Sequence, residues 1–329
     1  MIASVAFRNF KALRNTSLRL SPFNLVIGAN GSGKTSLIQA LHQLRTLAKL
    51  PLGDAAQPTR TDGPELIFSF DAPYAGVMAR LGCVSDVVCD LLRVTTTSAG
   101  DWDEVKARLA TMRSYVFDHV AMAGPAPRAT GARLARDGAN LAAVLATWAR
   151  ETPGAFGRLE TELTRWLPEF TGIVLQENSD GNVSLGLRIG DKEAPVAAEN
   201  LSQGVFYVLG ILVLSFDPAP PAVVCIEEID RGIHPRMLRE VRDALYRLSY
   251  PTAMGEARAP AQVIATTHSP YLLDLFREHP EEIVITQKHG HEARFERLAD
   301  RADLAELLRE GSLGDMWFSG ILGGVPEEP

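Results

Sequence analysis

The stretch Asn24-Leu25-Val26-Ile27-Gly28-Ala29-Asn30-Gly31-Ser32-Gly33-Lys34-Thr35-Ser36 decides the fold. Asn24 to Ile27 runs apolar into Gly28 and reads as a buried strand. Ser36 to Leu50 reads as a helix, with Leu37, Ile38, Leu41, Leu44 and Ala48 on one face. Between them, residues 28–35 match G-x-x-x-x-G-K-[ST] in the strand-to-helix setting that this loop requires. Glycines let backbone N–H groups turn inward around phosphate oxygens, and the helix N-terminus adds the positive end of its dipole. The pattern predicts a nucleotide site made by Asn30, Gly31, Ser32, Gly33, Lys34, Thr35 and Ser36. Lys34 reaches the β- and γ-phosphates and the Thr35 hydroxyl ligates Mg²⁺. A glycine-rich turn that merely happens to carry Lys-Thr is the weaker reading between such a strand and such a helix.

Working outward, Ser4 to Arg8 and Ser17 to Leu20 alternate as strands ahead of the loop. Far downstream, Ala222 to Ile226 is apolar and β-branched throughout, which suits a strand buried on both faces of a largely parallel sheet. It ends in Glu227-Glu228, two carboxylates at a strand's C-terminal tip, where open α/β sheets bind ligands. We expect Glu227 to serve the metal, partly through water, and Glu228 to polarise an attacking water. A second buried strand, Val263 to Ala265, ends in Thr266-Thr267-His268-Ser269-Pro270. Ser269 reads as the N-cap and Pro270 as the first residue of the helix that follows. His268 then stands at a strand tip as a γ-phosphate sensor, against the blander reading of a satisfied polar residue.

The bulk composition bounds the rest. With 329 residues, 46% of them hydrophobic, the chain can bury a core as one large or two modest domains. Met1 to Phe10 carries Arg8 and Asn9 within a short alternating run and does not resemble a leader. No apolar stretch approaches the ~20 residues of a membrane span, so a soluble, cytoplasmic protein without a membrane partner is expected. Cys83, Cys89 and Cys225 are odd in number without C-x-x-C spacing, which favours three reduced thiols. The net charge of −7 offers no global basic field, so nucleic-acid binding stays open without support from charge.

One more segment completes a pattern. Leu201-Ser202-Gln203-Gly204 opens an apolar helix, Val205 to Phe216, that runs into the catalytic strand. In the order phosphate loop, L-S-x-G, E-E, H, the chain resembles the ATP-binding-cassette ATPases, most closely their SMC, RecF and OLD-like branch. Val5 to Leu13 is similar to that branch's opening strand. Glu227 to Pro235 is similar to the E-E-P-E-N-G-L-H-P run of stand-alone OLD-like ATPases, and Leu313 to Trp317 is familiar in type. The resemblance implies an α/β fold: a P-loop ATPase with a mixed, largely parallel sheet, an antiparallel β layer and a helical insertion. It implies ATP and Mg²⁺ as ligands, and a head-to-head homodimer in which Ser202 and Gly204 of one subunit complete the γ-phosphate site of the other. It departs from the family at Glu227, where most members carry Asp, and at His234, where many carry Asp. The family's glutamine loop has no clear place, Gln57 being available without context.

Between the motifs, Glu65 to Asp71 alternates and Cys83 to Thr95 reads as further strand. Residues 101–170 read as a helical insertion or lid, dividing a discontinuous ATPase domain of residues 1–100 and 171–329. A hairpin follows, Ile173 to Glu177 and Val183 to Arg188. The insertion carries nine basic and nine acidic residues and no heptad run, so it is neither a basic saddle nor a long coiled-coil arm. His289 and His291 flank a glycine in a turn and lack further ligands at metal spacing, so they read as solvated. About sixty residues after His268 are too few for an appended nuclease domain. The leading expectation is an ATP-hydrolysing switch of bacterial DNA repair or phage defence, sensing nucleic acid or regulating a separate effector such as a nuclease. The alternative is the ATPase subunit of a membrane transporter.

Overall fold

The computed structural model describes residues 1–50, 63–190 and 194–325. Along the chain, β1 (Ile2–Phe10), β2 (Leu13–Arg19) and β3 (Phe23–Gly28) lead into α1 (Lys34–Leu47), then β4 (Glu65–Phe70), β5 (Met78–Cys83) and β6 (Cys89–Thr95). Next come α2 (Asp101–Thr111), β7 (Arg113–Tyr115), α3 (His119–Ala123), β8 (Ala126–Pro127), α4 (Leu141–Glu151) and α5 (Pro153–Trp166). They are followed by β9 (Phe170–Glu177), β10 (Asn182–Ile189), β11 (Val196–Ala197), α6 (Gln203–Phe216), β12 (Val223–Ile226) and α7 (Leu238–Ser249). The chain closes through β13 (Gln262–Thr267), α8 (Pro270–Asp274), β14 (Ile283–His289), β15 (Glu292–Arg297), α9 (Leu304–Glu310) and α10 (Leu313–Phe318). Two compact units result: Met1–Arg113 with Pro221–Ile226 and Ala259–Pro329, and Ser114–Pro220 with Glu227–Arg258.

The first unit holds two sheets. One is antiparallel, in the order β2-β1-β4-β5-β6. Its period-2 pattern buries Leu66, Phe68 and Phe70 of β4 and Val5 and Phe7 of β1, with Val5 facing Phe68. The other places β3 between β13 and β14, parallel to both, with β12 parallel to β13 and β15 antiparallel to β14. Every residue of β3, β12 and β13 is buried, as strands covered on both faces require. The shared core joins Phe7, Phe10, Leu13 and Phe68 to Leu37, Leu41 and Leu44 of α1. Gln262 links the sheets, its amide accepting from Ile2 N at 3.1 Å and donating to Ile2 O at 2.8 Å.

The expected strand from Cys83 to Thr95 is instead two strands. The chain reverses at residues 84–88, where Val84 N donates to Val88 O at 2.9 Å, and Val84, Val87 and Val88 are exposed. Valines in a turn imitate a strand in the sequence, which is why periodicity missed the reversal. The two strands are joined where their register shifts by a disulfide between Cys83 and Cys89. The reading of all three cysteines as thiols is thereby corrected; Cys225, outside the disulfide, is buried in β12.

In the second unit, α6 is buried from Val205 to Phe216, as a helix apolar all round must be. Gly210 admits Phe117 to its surface, since a Cβ there would lie 2.7 Å from the ring. The β9–β10 hairpin turns through Asn178–Asn182, with Gly181 supplying a φ of +81°. Arg258 serves the ends of two helices, donating to Ser215 O at 2.8 Å, Asp217 O at 3.2 Å and Arg247 O at 2.9 Å. Beside it, burial pushes the Asp217 carboxyl above its usual range, against the opposing effects of the Ala219 N–H, Arg133 and Arg258. A carboxyl raised in the folded state binds more protons there than in the unfolded chain between its usual value and its raised one. Its contribution to stability therefore falls as pH rises through that window and stays low above it. Asp217→Asn, which keeps an acceptor for Ala219, should raise the thermal midpoint at neutral pH and leave it unchanged at acidic pH. Thermal unfolding of both proteins across pH checks this.

Candidate functional site

The phosphate loop belongs wholly to the first unit. β3 ends at Gly28, paired with Thr286 of β14, and a Cβ on Gly28 would fall 2.5 Å from Thr286 O, so only glycine fits. The Thr286 hydroxyl donates to Ile27 O at 3.2 Å and is hydrogen-bonded to the Ser32 hydroxyl. Gly31 and Gly33 take φ values of +72° and +106°, and Gly33 is the N-cap of α1. These left-handed turns curl the main chain into the anion cradle that the sequence implied. No acidic residue occupies the first turn of α1, leaving its dipole unopposed. Lys34 is 8% exposed, its ammonium donating to Gly28 O at 2.7 Å and Ala29 O at 2.9 Å. Asn30, Gly31 and Thr35 are exposed, and Ser36 is half-buried. Gly324 packs behind the loop: its Cβ would lie 3.4 Å from Gly28 Cα.

His268 follows β13 in the same unit and is half-buried. The turn after it is built as expected: Thr267 Oγ1 accepts from Ser269 N at 3.0 Å, Ser269 Oγ accepts from Leu272 N at 3.3 Å, and Pro270 opens α8.

The carboxylate pair and the L-S-x-G segment fall in the second unit. Glu227 N donates to Tyr115 O at 3.0 Å, and its carboxylate, 16% exposed, lies 3.9 Å from the Arg136 guanidinium. Arg136 was not legible in the sequence. It is set by a loop in which the Asn140 side chain accepts from Ala135 N and donates to Arg133 O. Val116 N donates to Arg136 O, so Glu227 and Arg136 hang from adjacent residues of one extended segment. Glu228 has φ +53°, a left-handed conformation that costs a non-glycine residue about 1 kcal/mol or more. Its carbonyl accepts from Arg231 N at 3.0 Å, and its half-exposed carboxylate is 3.8 Å from Arg231 Nη1. The two carboxylates therefore differ in surroundings, the first sheltered and the second open.

Ser202 is the N-cap of α6, exposed and making no capping bond with its side chain. Gly204 abuts the loop after the carboxylates, where a Cβ would meet Gly232 O at 2.7 Å. His234 accepts from Arg236 N at 3.2 Å through Nδ1, a capping role that accounts for its presence in that loop. Among the described residues, no three His, Cys, Asp or Glu side chains converge on a metal position, so the turn histidines join no such group. The Thr35 hydroxyl and the Glu227 carboxylate are hard oxygen donors of the kind Mg²⁺ takes. Gln57 lies outside the described residues.

Residues 23–274 match the family described as "AAA domain, putative AbiEii toxin, Type IV TA system". The chain belongs to this AAA-domain family. The DNA replication and repair protein RecF of Citrobacter koseri is 41% identical over 56 residues, and that of Salmonella arizonae 39% identical over 56. Each match covers 16% of this chain and 16% of the RecF protein, so the chain spans only that share of these curated relatives. Among solved structures, an Smc head bound to the C-winged helix domain of ScpA aligns with TM-score 0.61 at 14% identity, covering 90% of this chain and 97% of that one. The Smc head with a coiled coil and joint derived from Pyrococcus yayanosii aligns with TM-score 0.52 at 10% identity, over 94% and 99% of the two chains. The AAA-domain chain thus has the fold of the SMC/RecF-type ABC ATPases, families that use ATP and Mg²⁺. Among the described residues, no helix is long and apolar enough to cross a membrane.

The strained Glu228 gives a test of whether the turn is kept for its side chain. Glu228→Gly removes the left-handed penalty and should stabilise the fold by about 1 kcal/mol. Chemical denaturation of both proteins measures it.

Proposed function

We propose that this chain is an ATP-hydrolysing switch that closes as a head-to-head dimer around ATP, working in the cytoplasm in bacterial DNA repair or phage defence. The observation that carries the reading is the phosphate loop: left-handed glycines, an unopposed helix dipole, and Lys34 buried beneath it. In the proposed cycle, Lys34 exchanges its bonds to the Gly28 and Ala29 carbonyls for charge-assisted ones to the β- and γ-phosphates. Asn30 to Gly33 and Ser36 offer main-chain N–H groups and hydroxyls to the same chain of phosphates. Thr35, and Glu227 through water, would hold Mg²⁺, which would supply neutralisation of the phosphate charge. Glu228, open to solvent on its turn, takes a proton from the attacking water, and His268 reads the γ-phosphate. Ser202 and Gly204 act on the nucleotide of the partner copy, the exposed Ser202 hydroxyl and the start of α6 being suited to an anion.

ATP held between two surfaces favours the closed pair through contacts that ADP lacks. The output is then opening and closing, coupled to nucleic acid or to a separate effector such as a nuclease. The fold's likeness to SMC heads supports this over a transporter subunit.

Turnover tests the reading. Glu228→Gln should retain ATP binding and hydrolyse it about 10²- to 10⁴-fold more slowly, while Lys34→Ala should lose binding. Unchanged turnover in Glu228→Gln would remove Glu228 from the chemistry. Assays with duplex or single-stranded DNA then identify the trigger: stimulation marks a DNA-sensing clamp, and none marks a protein-regulated one.

A further inference from the structure

We infer that Lys288 is a second cation for the phosphate chain of the nucleotide, acting from β14 beside the loop that carries Lys34. This rests on the reading of residues 28–35 as the nucleotide site.

The argument is one of register. β14 pairs with β3 only as far as Thr286, opposite Gly28, yet remains paired with β15 through His289 and Glu292. Its last three residues therefore run on past the end of β3, alongside the phosphate loop, on a backbone held by its hairpin partner. Side chains two apart on a strand share a face. Thr286 directs its hydroxyl at Ser32 of the loop, and Lys288 comes next on that face. Its Nζ lies 3.9 Å from the position a Cβ on Gly31 would take, the one neighbour within 4 Å of that point among the described residues. Gly31 is exposed at the tip of the loop, in the left-handed conformation that turns its main-chain N–H inward.

Charge points the same way. A nucleoside polyphosphate carries several negative charges, and Lys34 approaches from beneath the loop. Lys288 stands at the tip, its side chain exposed and its Cα fixed opposite Ala293. The acids of β15 do not share its face: Glu296 and Glu292 pair in register with Ile285 and His289, so they fall on the side of the hairpin opposite Lys288.

The test is equilibrium binding of ATP and ADP to the full chain, with Mg²⁺, for the parent, Lys288→Ala, Lys288→Gln, Lys288→Arg and Lys34→Ala. Thermal midpoints without nucleotide control for folding. A lost charge-assisted contact should weaken both nucleotides about tenfold in Lys288→Ala and Lys288→Gln, with arginine restoring most of the affinity. The ionic-strength dependence of binding should flatten in the alanine variant, with midpoints unchanged. If the parent binds, Lys34→Ala does not, and both neutral Lys288 variants match the parent, the inference is overturned while the nucleotide site stands. If the parent binds neither nucleotide, the reading beneath it fails, and this inference fails with it.

Discussion

The hydroxyl of Thr286, held between the Ile27 carbonyl and the Ser32 side chain, is the contact on which the nucleotide end of the first unit depends. It fastens a glycine-rich loop to β14, a strand held between β3, its parallel neighbour, and β15, its antiparallel one. Several constraints follow from it. Gly28 can carry no side chain, because Thr286 occupies the space, and Gly324 closes the same spot from behind. β14 must lie beside β3, which requires the chain to complete most of its length before the loop is supported. The loop therefore cannot take its shape from residues 28–35 alone.

The second unit shows a different economy. Glu228 keeps a left-handed conformation that almost any loop would give to glycine, a strain that fits the carboxylate's proposed part in hydrolysis. Glu227 is sheltered, fixed by its main chain to Tyr115 and faced by Arg136. Glutamate in place of the family's usual aspartate gives a longer arm. The arginine opposite gives that arm a definite resting place, so the departure comes with its own support.

Much of this was legible in the sequence. The phosphate loop, the strand ending in Glu227-Glu228, the Ser269-Pro270 helix start and the Leu201–Gly204 opening of α6 are local patterns, and each appears where its residues placed it. What escaped depends on distance along the chain. The strand that carries Thr286 and Lys288 reads as a strand locally, but these residues lie 254 or more positions from Ser32, and only strand order brings them beside the loop. Arg136 lies in a loop without motif, positioned by Asn140 and by a short strand that no periodicity announces. The Cys83–Cys89 bridge was hidden because the turn between them holds Val84, Val87 and Val88, which read as strand. His234 looked like a departure from the family at a functional position and turns out to cap the turn that follows it.

The central claim is that each ATP is shared, the phosphate loop of one copy working with Ser202 and Gly204 of another. Mixing two inactive variants tests it most directly. Lys34→Ala removes the phosphate grip and Ser202→Arg blocks the start of α6, so a mixed dimer retains one site made wholly of native residues. The account predicts that each variant alone is inactive and that the mixture recovers ATP turnover. A mixture as inactive as its components, from variants shown to be folded, would contradict it.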